Sequence, residues 1–265
     1  MKILVSTICF IQPNKIKDGA EIYATFANRL IDSTMEKTNF DIRVATNRPE
    51  LFSDALLKYG DRVSLFVDTL EDKQVWVGAF NQLLKFLALK DVPSKYDYVL
   101  YLDCDSSFFK TVDNELVTET ITKLEENNQN GMVNRSGTGY FLQQLTEHCS
   151  GIANMFSAKF NFYNLNLNTV PPEWEDAPMP CEHILFLKNE DNKLQIMSDK
   201  IAEFNEKLES QIGQPYIACS PDMEAFELGI GVKVAGYKLA EIDSYIHHDV
   251  FCVKYNGSNW EKAKL

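Results

Sequence analysis

Between Lys2 and Leu102 the chain repeats one pattern: a short apolar run, a polar break, then a segment with helical spacing. Lys2 to Phe10 is almost continuously apolar, as a strand buried on both faces must be. Gly19 to Ser33 sets Ile22, Tyr23, Phe26, Leu30 and Ile31 on one helical face. Phe40 to Thr46 alternates as a strand, Pro49 to Tyr59 suits a helix, and Val63 to Val67 reads as a third strand. A long helix is predicted over Val75 to Ala88 and a fourth strand over Asp97 to Leu102. Strands separated by helices pair through crossovers, which demands a parallel sheet with helices on both faces. The predicted fold class is α/β with a mostly parallel central sheet.

The second half has another texture. From about Asn127 to Pro180 the chain is rich in Asn, Gly, Ser, Pro and aromatic residues, which predicts loops and short strands. Glu182 to Lys188 reads as a strand. Asp191 to Gln211 reads as an amphipathic helix with Leu194, Met197, Ile201, Phe204 and Leu208 facing in. Ser220 as N-cap, Pro221 at the first helical position and Asp222 and Glu224 in the first turn open a further helix. A last strand-like stretch lies near Glu241 to Ile246. No repeat or long linker interrupts the 265 residues, so they are expected to form a single domain with two halves, 1–110 and 111–265.

Charge removes one class of partner. Lys and Arg number 26 against 38 Asp and Glu, a net charge of −12, so general nucleic-acid binding through a basic surface is not expected. Seventeen Phe, eleven Tyr and three Trp supply a core that a disordered chain lacks. Met1 to Phe10 is followed by Gln12-Pro13-Asn14-Lys15 and not by a small-residue cleavage site, so it reads as a strand and not a signal peptide. No apolar stretch reaches the roughly 18 to 20 residues of a membrane span. Cys9, Cys104, Cys149, Cys181, Cys219 and Cys252 are scattered without a CxxC pair. They read as reduced, buried thiols, which points to a cytoplasmic protein.

The chemistry is concentrated where the fourth strand stops. Tyr98-Val99-Leu100-Tyr101-Leu102 is followed by Asp103-Cys104-Asp105, at the carboxyl edge where open α/β sheets bind ligands. Residues two apart on an extended chain point the same way, so both carboxylates address one centre. Two such groups repel unless a cation lies between them or one is protonated. A hard ion, Mn²⁺ or Mg²⁺, suits them and keeps positions open for phosphate oxygens. The ordinary alternative is that the two acids cap the following turn.

Tyr96-Asp97-Tyr98-Val99-Leu100-Tyr101-Leu102-Asp103-Cys104-Asp105 resembles the Asp-x-Asp strand of the metal-dependent nucleotide-sugar glycosyltransferases of the GT-A fold, and the layout of residues 1–110 resembles theirs. The resemblance implies a nucleotide-sugar-binding half over 1–110 and an acceptor-side half over 111–265. It implies transfer of a sugar from a nucleoside-diphosphate sugar to a glycan or another hydroxyl acceptor. Donor contacts are then expected from Thr7 and Ile8 after the first strand, Asn47 after the second, Lys85, Asp103 and Cys104. Lys85 precedes the Asp-x-Asp strand at the place of a basic residue that reaches the diphosphate or sugar.

Near the end, Ile246-His247-His248, Lys254, Gly257 and Trp260 resemble the His-x-x-Gly-x-x-Lys-Pro-Trp element of glycogenin-like retaining enzymes. This implies His248, with His247 as the alternative, as a third metal ligand beside Asp103 and Asp105, and phosphate contacts from Lys254 and Gly257. The spacing departs from that element, and Trp260 lacks the preceding Lys-Pro. Asp222 and Glu224 stand where many GT-A enzymes place the carboxylate that serves as base or faces the sugar, although acids in a first turn also simply complement the helix dipole. Glu182 and Asp176 are further acids of this kind, and Trp174, Phe162 and Tyr163 suit stacking on a sugar ring.

Two rivals remain open from sequence. Leu102-Asp103-Cys104-Asp105-Ser106-Ser107 also resembles the first motif of haloacid-dehalogenase phosphohydrolases, which would make Asp103 a nucleophile. Three strands precede it here, whereas that motif lies on the first. A binding module for metal or sugar nucleotide, without turnover, is the other.

Overall fold

The computed structural model describes residues 1–11, 22–69, 82–134, 183–212, 223–242 and 247–256. Its main sheet contains β1 (Ile3–Cys9), β2 (Asp41–Thr46), β3 (Val63–Val67), β4 (Tyr98–Leu102), β6 (Gly131–Asn134), β7 (Ile184–Lys188) and β8 (Leu239–Ile242), with β5 (Ser106–Phe108) set apart. The order is β3-β2-β1-β4-β7-β6-β8. β1 to β4 are parallel, β7 runs against both its neighbours, and β6 and β8 pair in parallel. The sheet is therefore mostly parallel with one reversed strand, and helices cover both faces. β5 joins β9 (His247–His248) and β10 (Val253–Tyr255) in a small antiparallel sheet ordered β5-β10-β9.

Strand alternation divides the core into two layers. Ile3, Val5 and Cys9 of β1 face one layer, which also takes Ala27, Leu30 and Ile31 of α1 (Ile22–Lys37). Val117, Ile121 and Leu124 of α3 (Asn114–Glu126) join the same layer. Leu4 and Ile8 face the other, with Leu194, Met197 and Ile201 of α4 (Lys193–Ile212) and Leu228 and Val232 of α5 (Met223–Val234). All seven residues of β1 are buried, the polar Ser6 and Thr7 included.

Several elements differ from their predicted form. Pro49 to Tyr59 divides into a 3-10 turn, Pro49–Phe52, and α2, Ser53–Tyr59, which ends where Gly60 takes φ 57°. Of the long helix predicted over Val75 to Ala88, the described part is a 3-10 helix, Gln82–Ala88. Tertiary bonds explain the tighter winding. The Phe86 carbonyl accepts from Leu89 N–H three residues on and from the Ser198 hydroxyl, and the Ala88 carbonyl accepts from Ser6 and Arg43. The last main-sheet strand is Leu239–Ile242, earlier than predicted, and 243–246 lie outside the described residues. α3 had no counterpart in the predicted elements; Asp113 caps it by accepting the Glu115 and Leu116 amides. Among the described residues no helix is long and apolar enough to cross a membrane.

Candidate functional site

From β1 the chain builds outward to β2 and β3, then returns to set β4 on the other side of β1. At such a reversal the connections leave on opposite faces of the sheet and open a crevice at the strands' carboxyl ends. Asp103, Cys104 and Asp105 lie there. The Ser106 amide donates to the Asp103 carbonyl at 2.9 Å, closing a turn with Cys104 and Asp105 at its centre. Asn256, just after β10, clamps the turn: its side chain donates to the Asp105 carbonyl at 2.6 Å and to Ser107 Oγ at 3.3 Å.

Asp103 is densely bonded. Its Oδ1 lies 2.7 Å from the Tyr101 hydroxyl and 3.0 Å from Lys85 Nζ, and its Oδ2 lies 3.0 Å from His183 Nδ1. Tyr101 sits two residues earlier on the same strand and so on the same side. Lys85 comes from the 3-10 helix. His183 comes from the residue before β7, whose Ile184 stands opposite Leu102. Burial alone would raise the Asp103 carboxyl, but the Lys85 charge and the His183 and Tyr101 hydrogen bonds hold it well below the usual range.

Asp105 behaves in the opposite way. Burial and the adjacent Asp103 charge push its carboxyl up to about 6, against a partial downward pull from His183 and Lys85. Burial also raises the Cys104 thiol well above its ordinary value, with Cys9, Asp105 and Asp103 adding to the effect. Burial raises the Tyr23 hydroxyl, at the start of α1, and Cys104, Asp105 and Cys9 add to the effect.

No family model matches the chain, and no curated protein matches it. Among solved structures the chain is similar to mouse xyloside xylosyltransferase 1 in its apo form, at 9% identity and a TM-score of 0.46, over 97% of this chain and 98% of that one.

The remaining predicted residues are placed unevenly. Thr7 and Ile8 are buried in β1, Ile8 in the core and Thr7 with a hydroxyl that has no hydrogen-bond partner among the described residues. The Asn47 side chain is committed to the backbone of Ile11, accepting its N–H and donating to its carbonyl, each at 2.9 Å. It thereby ties the end of β2 to the end of β1. Lys254 is exposed on β10, opposite Ser107 on one side and His247 on the other, while His248 pairs with Val253. Only the backbones of His247 and His248, and of Glu224 in α5, are described. Asp222, Gly257, Trp260, Glu182, Asp176, Trp174, Phe162 and Tyr163 lie outside the described residues. Among those described, no three His, Cys, Asp or Glu side chains group as a metal set.

Tyr101, His183 and Asn256 were not among the predicted site residues. Tyr101 had a legible signal, the two-residue spacing to Asp103 on one strand. His183 and Asn256 reach the turn only through strand pairing between distant segments, which leaves no local pattern.

Proposed function

We propose that the protein is a glycosyltransferase that moves a sugar from a nucleoside-diphosphate sugar to an acceptor hydroxyl, with donor contacts in residues 1–110 and the acceptor side in 111–265 of one domain. One observation carries the reading. Asp103 and Asp105 end the central strand β4 at the β1–β4 crevice, with the Lys85 ammonium 3.0 Å from Asp103. That place and that charge pattern suit a bound pyrophosphate. Lys85 offsets the negative charge of Asp103 and would help neutralise charge developing on a departing diphosphate bound there. Tyr101 and His183 keep the Asp103 carboxylate in place, and Cys104 stays a neutral thiol.

The fit to a divalent cation rests on Asp105. A buried carboxyl raised toward neutrality for want of compensating charge is a suitable hard oxygen donor. Asp105, with Asp103 and His248, would hold Mn²⁺ or Mg²⁺, which would neutralise charge on the leaving diphosphate. Asp222 or Glu224 remains the proposed carboxylate near the anomeric carbon, serving as base for the acceptor hydroxyl or as stabiliser. The phosphohydrolase reading finds less support, because three strands precede the one that Asp103 ends.

The test is release of nucleoside diphosphate from a panel of uridine- and guanosine-diphosphate sugars with Mn²⁺ and no acceptor. A transferase hydrolyses its donor slowly, and Asp103→Ala and Asp105→Ala each abolish this while the protein stays folded. Unchanged turnover in either variant refutes the proposal. Preference for phosphomonoesters would mark a phosphatase, and thermal stabilisation without turnover a binding module.

A further inference from the structure

We infer that His183 is a positioning residue that fixes the Asp103 carboxylate against Lys85, and that nucleoside-diphosphate binding depends on it. The inference rests on the donor-site reading above. Its starting point is that His183 grips Asp103 twice. The His183 carbonyl accepts the Asp103 backbone N–H at 3.1 Å, and the ring Nδ1 meets Asp103 Oδ2 at 3.0 Å. The carboxylate accepts, so Nδ1 carries the proton in this contact.

The two contacts do different things. The backbone bond continues the β4–β7 ladder and survives any side-chain change. The ring bond acts on the one torsion of Asp103 that is otherwise soft, since the last torsion of an Asp side chain turns over a broad, two-fold range. On the far oxygen, Tyr101 and Lys85 both bind Oδ1. Without the imidazole, Oδ2 keeps only the longer Lys85 contact at 3.3 Å, and the carboxylate is held less firmly against turning about the Oδ1 contacts. Turning takes the carboxylate out of register with the Lys85 ammonium. His183 thus sets how the Asp103 carboxylate meets the positive charge of Lys85 in the crevice. It is itself buried, at 6% exposure, which favours a role exerted through Asp103 over direct contact with a donor.

His183→Asn and His183→Ala separate this role from simple packing. Asparagine puts an amide N–H near the place of Nδ1, whereas alanine removes the donor. Calorimetric titration of the 265-residue variants with uridine or guanosine diphosphate and MnCl₂ should show about ten-fold weaker binding for His183→Ala. His183→Asn should stay within about three-fold of the wild type, as a hydrogen-bonded partner of a binding group does when its donor is kept. Equal affinity of His183→Ala and wild type overturns the inference, and so does an equal loss in both variants. Crystal structures of the two variants give a reading that needs no nucleotide. Asp103 should be turned away from Lys85 in His183→Ala and kept in His183→Asn; an unmoved pair in His183→Ala overturns the inference. A wild type that binds neither nucleotide refutes the donor-site reading instead, and the crystal structures still decide the role of His183.

Discussion

Lys85 Nζ and Asp103 Oδ1 lie 3.0 Å apart, with the two side chains only 7% and 17% exposed. An ion pair so enclosed is held less by its own attraction than by the cost of leaving either member alone. Replacing Lys85 by Met strands a buried carboxylate with hydrogen bonds from Tyr101 and His183 but without the ammonium. Lys85→Met is expected to cost about 3 kcal/mol in urea unfolding at pH 7. Adding Asp103→Asn to that variant should restore part of the loss. Simple additivity of the two losses would show the pair to be uncoupled.

Asp105 gives stability the opposite dependence on pH. Its folded value, raised to about 6, lies above the ordinary aspartate value, so the folded state binds the proton more tightly than the unfolded chain. Stability is favoured below about pH 4 and falls as pH rises towards 6, by roughly 2 kcal/mol. Asp103 acts in the other sense, since its carboxyl is depressed, and its contribution fades only as pH falls below about 4. Asp105→Asn removes the first effect alone. The variant should gain on the metal-free wild type by roughly 2 kcal/mol between pH 4 and pH 7. Denaturation at a series of pH values checks this, and a difference that stays flat across the range contradicts it.

The first four strands were legible because each is an apolar run of strand length between polar breaks, and β4 was legible as the ligand strand because two acids end it. What brings Lys85 into contact with Asp103 was legible only as a basic residue upstream. The His183 contact was not legible at all. It depends on β7 entering between β4 and β6 in antiparallel register, so the two partners stand 80 residues apart in the chain. The winding of 82–88 was missed for a related reason: its carbonyls bond to Ser6, Arg43 and Ser198, and helical spacing says nothing of those donors. The parallel pairing of β6 with β8 likewise follows from the assembled sheet and not from either segment.

Arg43 anchors the segment that carries Lys85. It is buried on β2, where it donates to the Ala88 carbonyl at 2.6 Å and to the Asp91 carbonyl at 3.1 Å. Burial lowers the guanidinium to about 10, so it is still charged at neutral pH, and a cation beside these carbonyls suits the end of a helical turn. Arg43→Met leaves the Asp91 carbonyl without this donor and the Ala88 carbonyl with Ser6 alone, at a cost of about 2–4 kcal/mol. Arg43→Lys keeps the charge but lacks a fork to span both acceptors, so it should recover less than half of that. Faster amide exchange at Leu89, whose N–H bonds the Phe86 carbonyl, would report loosening of the turn in both variants. Unchanged exchange and stability in Arg43→Met would remove the anchoring role.

Two glycines resist the same substitution for different reasons. A Cβ on Gly131, in β6, would stand 2.6 Å from the Phe186 carbonyl oxygen and 2.7 Å from Leu239 Cδ2. The Phe186 oxygen belongs to the β7 backbone, in the strand that β6 pairs with, and so cannot retreat without shifting that strand. Gly131→Ala should cost about 2–4 kcal/mol, in the range of overpacked cores. Gly60 has open space around its Cβ position but holds φ 57° at the end of α2. With ψ −133° it lies outside the left-handed helical region, so Gly60→Ala should cost about 2 kcal/mol from backbone strain, with no clash. Gly60→Asn should cost about the same as Gly60→Ala, since the side chain meets open space in either case, whereas Gly131→Asn should be at least as damaging as Gly131→Ala. Urea midpoints of the four variants test the contrast. A loss in Gly131→Ala under about 1 kcal/mol would mean that β6 does not sit as tightly against β7 as the 2.6 Å approach implies.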